Sequence, residues 1–501
     1  MLNPDEILNL FLFIEKKFDI TRFTYKGINF WPLIRSNIGL DLYSNPTIYN
    51  LKRKKRSLAE MIKLPYRNIK LKKAKANYIK TLKPLQSDYI ICTYPNSLFT
   101  DELSGKSYSR YIDPYFETIS KQYKLQRIGF TNINDSKINP LYPIDFFSTD
   151  NFLIYKNLNK FINKGSDIDM TEYNKMITTF EEINKIVLGE FKIKPFYSGL
   201  INQFEEVIAY TAYFDELFKI SKVKWVFLEC FYDIIKMAMI ISGKKYGVKF
   251  IEIQHGGAED NVYLPYHKKT IDYQMLPDYF WCWSESDKDL IIEHNGNFKF
   301  LIPFIGGSMW LKKFVSNEIN PVTKEEEMFF VRIKEKYKKI ILVCLQPVFL
   351  LDKVIKETIL NETGDFLFLV RFHPHITIKE RNEIKNTLGG QTNIETEMAS
   401  KINLFYLFKN CDVQLTHSST TAMESLTFNL PTIVCSKYGY DFYKEQIKDG
   451  VILFSDNSEE IINIISRENK LNERKSNYYK IRCNEKEAIE NLTNLITSCA
   501  A

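Results

Sequence analysis

Short apolar runs alternate with helical stretches along most of this 501-residue chain. Residues 225–228 and 249–253 read as buried strands, with a helix over 233–246 between them. Residues 279–283 and 301–305 read as further strands around a helix at 286–294. A second series follows, with strands at 340–345, 366–370, 413–415, 432–435 and 451–454. Strands that are apolar on both faces and separated by helices imply right-handed βαβ units and a parallel sheet covered on both sides. Two such series in one chain predict two doubly wound domains.

The rest of the chain fits around this frame. Residues 1–85 read as a mainly helical N-terminal extension. Residues 88–92 read as the first strand of the first domain, and a helix begins at Asp113-Pro114, where proline suits a first turn. The stretch 130–165 is rich in Asn, Asp and Pro and reads as loop with short elements, followed by helices near 170–190 and 198–220. The predicted domains are the extension at 1–85, an acceptor and catalytic domain at 86–316, a nucleotide-binding domain at 317–480 and a terminal helix at 481–501. Helices are expected at 458–470 and 484–498. Apolar content of 45% and aromatic content of 14% suit a packed enzyme and exclude a disordered chain.

The start of the chain lacks a basic region ahead of its apolar residues, and no stretch reaches 18 apolar residues, so neither a signal peptide nor a membrane span is expected. The eight cysteines, at 92, 230, 282, 344, 411, 435, 483 and 499, form no C-x-x-C pair. That pattern points to a reducing cytoplasm and away from structural zinc. Residues 51–83 hold thirteen Lys/Arg and one acidic residue, so the net charge of +7 is +12 there against −5 elsewhere. Such a segment is a solvated face or an attraction to an anionic membrane surface, which places the protein in the cytoplasm with a contact at the inner face of the membrane as one option. No nucleic-acid motif accompanies it.

Three constellations carry chemistry. Arg371, His373 and Pro374 follow a strand of the second series. Ser418, Ser419, Thr420 and Thr421 follow another and open a helical stretch, with Glu424 one turn in. Strand ends are where open α/β sheets bind ligands, and helix starts rich in Ser and Thr attract phosphate. These eight residues are the expected nucleotide contacts. In the first series, Glu252-Ile253-Gln254-His255-Gly256-Gly257-Ala258-Glu259-Asp260 lies at the end of the strand 249–253. Its paired glycines allow close approach of a ligand, and Gln254, Gly256, Gly257, Glu259 and Asp260 are expected to bind substrate. Glu229 and Asp233 flank the end of the neighbouring strand. Together with His255 they are the candidates for base or nucleophile. Each of these polar residues also has a plainer reading as a helix cap or a surface charge.

Several motifs are absent: a Walker A loop, G-x-G-x-x-G, H-E-x-x-H, G-x-S-x-G and a strand-end D-x-D. Nucleotide hydrolysis, hydride transfer, zinc proteolysis and α/β-hydrolase chemistry lose support accordingly, and no metal site or cofactor is expected.

The strand-end Gln254-His255-Gly256, His373-Pro374, the Ser/Thr run before Glu424 and Asn429-Leu430-Pro431-Thr432 resemble bacterial glycosyltransferases of the two-Rossmann-domain (GT-B) type that build capsule and lipopolysaccharide. The resemblance spans residues 88 to 460. It implies an α/β fold of two Rossmann-like domains facing a cleft. Bacterial sialyltransferases and Kdo transferases of this type use HP and Ser/Thr motifs on the CMP of the donor. By that likeness, His373, Pro374, Ser418, Ser419 and Thr420 would hold the donor nucleotide, and a CMP-linked ulosonic acid would pass to a lipid-linked or oligosaccharide acceptor. The loop 438–443 is loosely similar to a segment of capsule Kdo transferases, and Glu259-Asp260-Asn261 is the nearest match to a sialyltransferase acidic motif. Transfer of a polyol phosphate from a CDP-linked donor, and a non-catalytic nucleotide-sugar-binding assembly subunit, are the alternative readings.

Overall fold

The computed structural model describes residues 4–43, 82–93, 98–100, 106–131, 139–148, 175–183, 185, 197–257, 273–295, 301–320, 322–347, 349–362, 364–467 and 473–500. The chain divides into two compact units, Met1–Trp281 with Leu290–Phe304, and Cys282–Asp289 with Ile305–Ala501.

The first unit is built on a seven-stranded sheet. Its strands are β1 (Tyr89–Thr93), β2 (Leu125–Thr131), β3 (Asp145–Ser148), β4 (Trp225–Leu228), β5 (Lys249–Ile253), β6 (Tyr279–Cys282) and β7 (Ile302–Ile305). They lie in the order β7-β6-β5-β4-β1-β2-β3. From β6 through β3 each strand runs parallel to its neighbours. Every residue of β4 is buried, as a strand covered on both faces requires. The helix Ile234–Lys245 follows β4, started by Asp233, whose carboxylate accepts from the backbone N–H of Ile235 (2.9 Å) and Lys236 (3.3 Å).

The second unit repeats the plan with β8 (Lys339–Cys344), β9 (Phe366–Arg371), β10 (Ile394–Glu395), β11 (Val413–Thr416), β12 (Thr432–Val434) and β13 (Leu453–Phe454). The order is β10-β9-β8-β11-β12-β13, parallel throughout. The pleat of β8 sorts its side chains between two cores. Ile341 and Val343 pack with Ile355, Phe368, Val370, Ile461 and Ile465 on one face. Ile340 and Leu342 pack with Phe330, Leu367, Leu369, Phe405 and Phe408 on the other.

Each sheet therefore counts outward in both directions from its first strand, the doubly wound order, with a reversal point beside that strand. In the first unit the reversal lies between β1 and β4, in the second between β8 and β11.

Ahead of the first sheet, the helices Pro4–Lys17 and Trp31–Tyr43 bear out a helical extension. A fully buried Glu15 joins them. It accepts from the Trp31 indole N–H (2.8 Å) and lies 3.2 Å from Arg35 Nη1.

The structure departs from the sequence reading in several places. The segment 130–165, read as loop with short elements, contains the end of β2 and the short strand β3, and β2 itself had not been recognised. The short edge strand β10 was likewise missed. Residues expected as a loop at 438–443 form the helix Lys437–Phe442. A further helix, Glu473–Tyr479, precedes the terminal one, Glu485–Ala500. The basic segment falls almost wholly outside the described residues. Among those that are described, no helix is long and apolar enough to cross a membrane.

Candidate active site

At the reversal point of the second sheet, β8 and β11 end side by side, with Cys344 opposite Thr416. The Thr416 hydroxyl donates to the Cys344 carbonyl (2.9 Å). Gln346, just beyond β8, uses its amide oxygen to accept from both the backbone N–H (2.9 Å) and the hydroxyl (3.1 Å) of Ser418. One glutamine thus fixes the start of the Ser/Thr segment. His417 beside it is buried, its ring stacked on Phe349 at 3.7 Å with Tyr438 beyond. Its Nδ1 lies 3.0 Å from the Ser418 hydroxyl and 3.2 Å from that of Ser436, and its Nε2 lies 3.9 Å from Asp352. Burial pulls the imidazole pKa below its ordinary value against the attraction of Asp352, so His417 is neutral at neutral pH.

Ser436 donates to the His417 carbonyl (2.9 Å) and caps the helix Lys437–Phe442 through the Gly439 N–H (2.9 Å). Gly439 is required there. A Cβ would lie 2.2 Å from Val434 Cγ1 and 2.3 Å from the His417 carbonyl oxygen.

The hydroxyls that the sequence offered as a phosphate cradle are largely engaged with the protein itself. Ser418 serves Gln346 and His417, Thr421 accepts from Gln414 (2.6 Å), and Ser419 accepts from the Thr421 N–H (3.3 Å). Thr420 stands at the N-cap of Thr421–Thr427 without a capping side-chain bond and is exposed. Glu424 is half-buried in the first turn of that helix.

Arg371 holds structure. Its Nη1 donates to the carbonyls of Ala399 (2.7 Å) and Ile402 (2.6 Å), tying the end of the helix Glu397–Lys401 to the sheet. His373 and Pro374 lie in the turn after β9, His373 half-buried and Pro374 exposed. The Nδ1 of His373 accepts from the His375 backbone N–H (3.2 Å). A ring whose Nδ1 accepts carries its proton on Nε2, the tautomer suited to donating to a phosphate oxygen.

In the first unit, the ends of β4 and β5 bring a charged cluster together. Glu229 is 3% exposed, and its Oε2 is buried with no hydrogen-bond partner. Cys230 follows in a left-handed conformation (φ 49°), turning the chain sharply before the helix. Lys236, buried in that helix, donates to the Glu229 carbonyl. Burial alone would lower the Lys236 pKa, but Glu229, Cys230, Asp233 and Glu252 outweigh it and raise it, so the ammonium stays charged. The Oε2 of fully buried Glu252 accepts from the Phe231 N–H (3.0 Å). His255 sits beside this cluster, with Nδ1 3.6 Å from Glu252 Oε1 and Nε2 3.0 Å from the Tyr232 hydroxyl and 3.2 Å from Cys230 Sγ. Gln254 is buried and donates to the Gly256 carbonyl (2.9 Å). Gly256 and Gly257 lie in the turn that follows.

The structure therefore groups Glu229, Asp233 and His255 at adjoining strand ends. Glu259 and Asp260 lie outside the described residues. Cys230, Tyr232 and Lys236 in the first unit, and Gln346, Phe349, Asp352, His417 and Ser436 in the second, had been given no role as site residues, and neither had Glu252, although it opens the strand-end segment 252–260. Two of them left a sequence signal. Glu252 interrupts an apolar strand and Lys236 an apolar helix, and charges in such places are seldom left unpaired. Among the described residues no three His, Cys, Asp or Glu side chains gather as a metal-ligand set.

The chain carries two Rossmann-like doubly wound domains, a feature that the GT-B class of fold shares. No family model matches this sequence, and no curated protein matches it. Solved structures similar to it include S. aureus MnaA with UDP, at 13% identity and a TM-score of 0.48 over 83% of this chain and 97% of that one. Another is the UDP-GlcNAc 2-epimerase of Neisseria meningitidis bound to UDP-GlcNAc, at 13% and 0.45 over 82% and 99%. A third is the wall teichoic acid polymerase TagF soaked with CDPG, at 12% and 0.42 over 88% and 98%. Likeness at this level transfers no activity, substrate or residue role to this chain.

Proposed function

We propose that this chain is a glycosyltransferase that uses a nucleotide-activated sugar without a resident metal. The second domain holds the nucleotide, with the His373 Nε2–H and the segment from Ser418 to Thr421 at its phosphate. The first domain supplies the base, drawn from Glu229, Asp233 and His255. The observation that carries this reading is the coincidence of polar clusters with the strand ends beside both reversal points, where open α/β sheets take their ligands. The first-domain cluster is rich in carboxylates and suits an uncharged hydroxyl acceptor better than a phosphate. The second has neutral donors and no buried carboxylate among the residues described above, which suits an anionic nucleotide.

Within this reading the donor is a CMP-linked ulosonic acid, such as Kdo or sialic acid, and the acceptor a growing surface polysaccharide. The basic segment at 51–83 keeps the enzyme near a lipid-linked acceptor at the inner membrane face. Titration calorimetry with CMP, CDP, UDP, GDP and dTDP tests the donor site. CMP should bind, and His373→Ala should weaken it at least tenfold. Binding of CDP in its place, with phosphate retained in the product, would move the assignment to polyol-phosphate transfer. Binding without turnover of any donor would leave a non-catalytic subunit.

A further inference from the structure

The first-domain cluster contains a chain of contacts with a built-in direction. Glu252 is fully buried at the end of β5 and anchored, its Oε2 accepting from the Phe231 N–H at 3.0 Å. Its other oxygen lies 3.6 Å from His255 Nδ1, just beyond hydrogen-bond reach, and that nitrogen is buried and has no hydrogen-bond partner among the described residues. A carboxylate oxygen only accepts, so the neighbouring ring nitrogen is favoured to carry the proton. The Nε2 of His255 is then a bare lone pair. It faces the Tyr232 hydroxyl at 3.0 Å and Cys230 Sγ at 3.2 Å. Of these the phenol is the stronger donor, and the Cys230 thiol is pushed up to about 11, chiefly by burial. Tyr232 is half-buried, whereas Glu252 is fully buried.

We propose that Glu252, His255 and Tyr232 form one proton relay, in which Tyr232 is the outer member that meets the acceptor and Glu252 is a positioning residue that sets the direction. The relay deepens the assignment of His255 as the base and rests on it. In transfer, the acceptor hydroxyl gives its proton to Tyr232 Oη as the phenol proton passes to His255 Nε2. The acceptor oxygen bonds the sugar carbon, the bond from that carbon to the phosphate breaks, and the nucleotide leaves with the electron pair. The imidazolium that forms keeps Nδ1–H towards the Glu252 carboxylate. An apo contact of 3.6 Å is within what such pairs show before they tighten on a substrate.

Glu252→Gln makes a sharp test, because the Phe231 N–H still demands an acceptor. The new amide oxygen takes that place and its NH2 faces Nδ1, which must then accept. The tautomer of His255 should invert rather than blur. Nitrogen-15 NMR of histidine-labelled protein, at a pH where the ring is neutral and with His255→Asn to assign the signal, reads this directly. The wild type should show a protonated Nδ1 and a bare Nε2, and Glu252→Gln the reverse. A wild-type ring protonated on Nε2, or no change on Glu252→Gln, would overturn the direction of the relay. If Glu252→Gln does not fold, the wild-type spectrum alone decides that point. Tyr232→Phe should keep the wild-type tautomer and lower kcat about 100-fold with the donor KM unchanged, and full kcat would remove Tyr232 from the relay. Because the tautomer is read without turnover, absence of transferase activity would count against the proposed function while leaving this result to stand or fall separately.

Discussion

At the scale of single residues, the second site depends on a neutral imidazole and a missing side chain. His417 is buried against Phe349, and its folded pKa lies below the ordinary 6.5. The unfolded chain therefore takes up the proton first as pH falls. Stability should be full above about pH 6.5 and decline as pH drops from there towards the folded pKa. Proton NMR titration should place the His417 midpoint below 6.5, and a midpoint at or above that value would contradict the packing described. Gly439→Ala sets a methyl against Val434 and a backbone carbonyl. It should cost about 1–3 kcal/mol in chemical denaturation, and an unchanged midpoint would mean that the helix Lys437–Phe442 lies elsewhere. Glycine 439 and His417 were both visible in the chain as letters. Their roles were not, because each arises from a contact with a segment further back in the chain, the His417 carbonyl for one and Phe349 for the other. Arg371 taught the converse. A cation at a strand end looks like a phosphate ligand until the carbonyls of Ala399 and Ile402 are seen to use it.

At the scale of elements, the helix Ile234–Lys245 carries a buried ammonium into a nest of carboxylates. Lys236→Met removes the compensating charge and leaves Glu229 and Glu252 buried without it. The variant should lose about 3–5 kcal/mol near neutral pH. The deficit should shrink as acid neutralises the carboxylates. A loss that is independent of pH would show that Lys236 matters for packing alone. The central strands β4, β5, β8, β9 and β11 were legible because burial on both faces demands mostly apolar residues, with Glu252 in β5 and Gln414 in β11 as the interior exceptions. Strands β3 and β10 were not. Both lie at the sheet edge, and β10 is two residues long and only half-buried, too short for any periodicity to register. The β3 region is also surrounded by Asn, Asp and Pro, whose turn preferences mask a short strand.

At the scale of the whole molecule, two sheets with the same winding order rest on unrelated sequences, each with its polar cluster at the carboxyl ends of its strands. The doubly wound class was readable from the strand and helix rhythm alone. The assembly of each cluster was not, since Gln346 meets Ser418, and Glu252 meets Phe231, only through the parallel pairing of strands far apart in the chain. The central claim is that the second domain binds the nucleotide of an activated sugar. Titration calorimetry of the full-length protein with CMP, set against CDP, UDP, GDP and dTDP, measures it most directly. The account predicts saturable one-to-one binding of CMP that weakens at least tenfold on His373→Ala. No binding of any nucleotide, or CMP binding unchanged by that substitution, would contradict it.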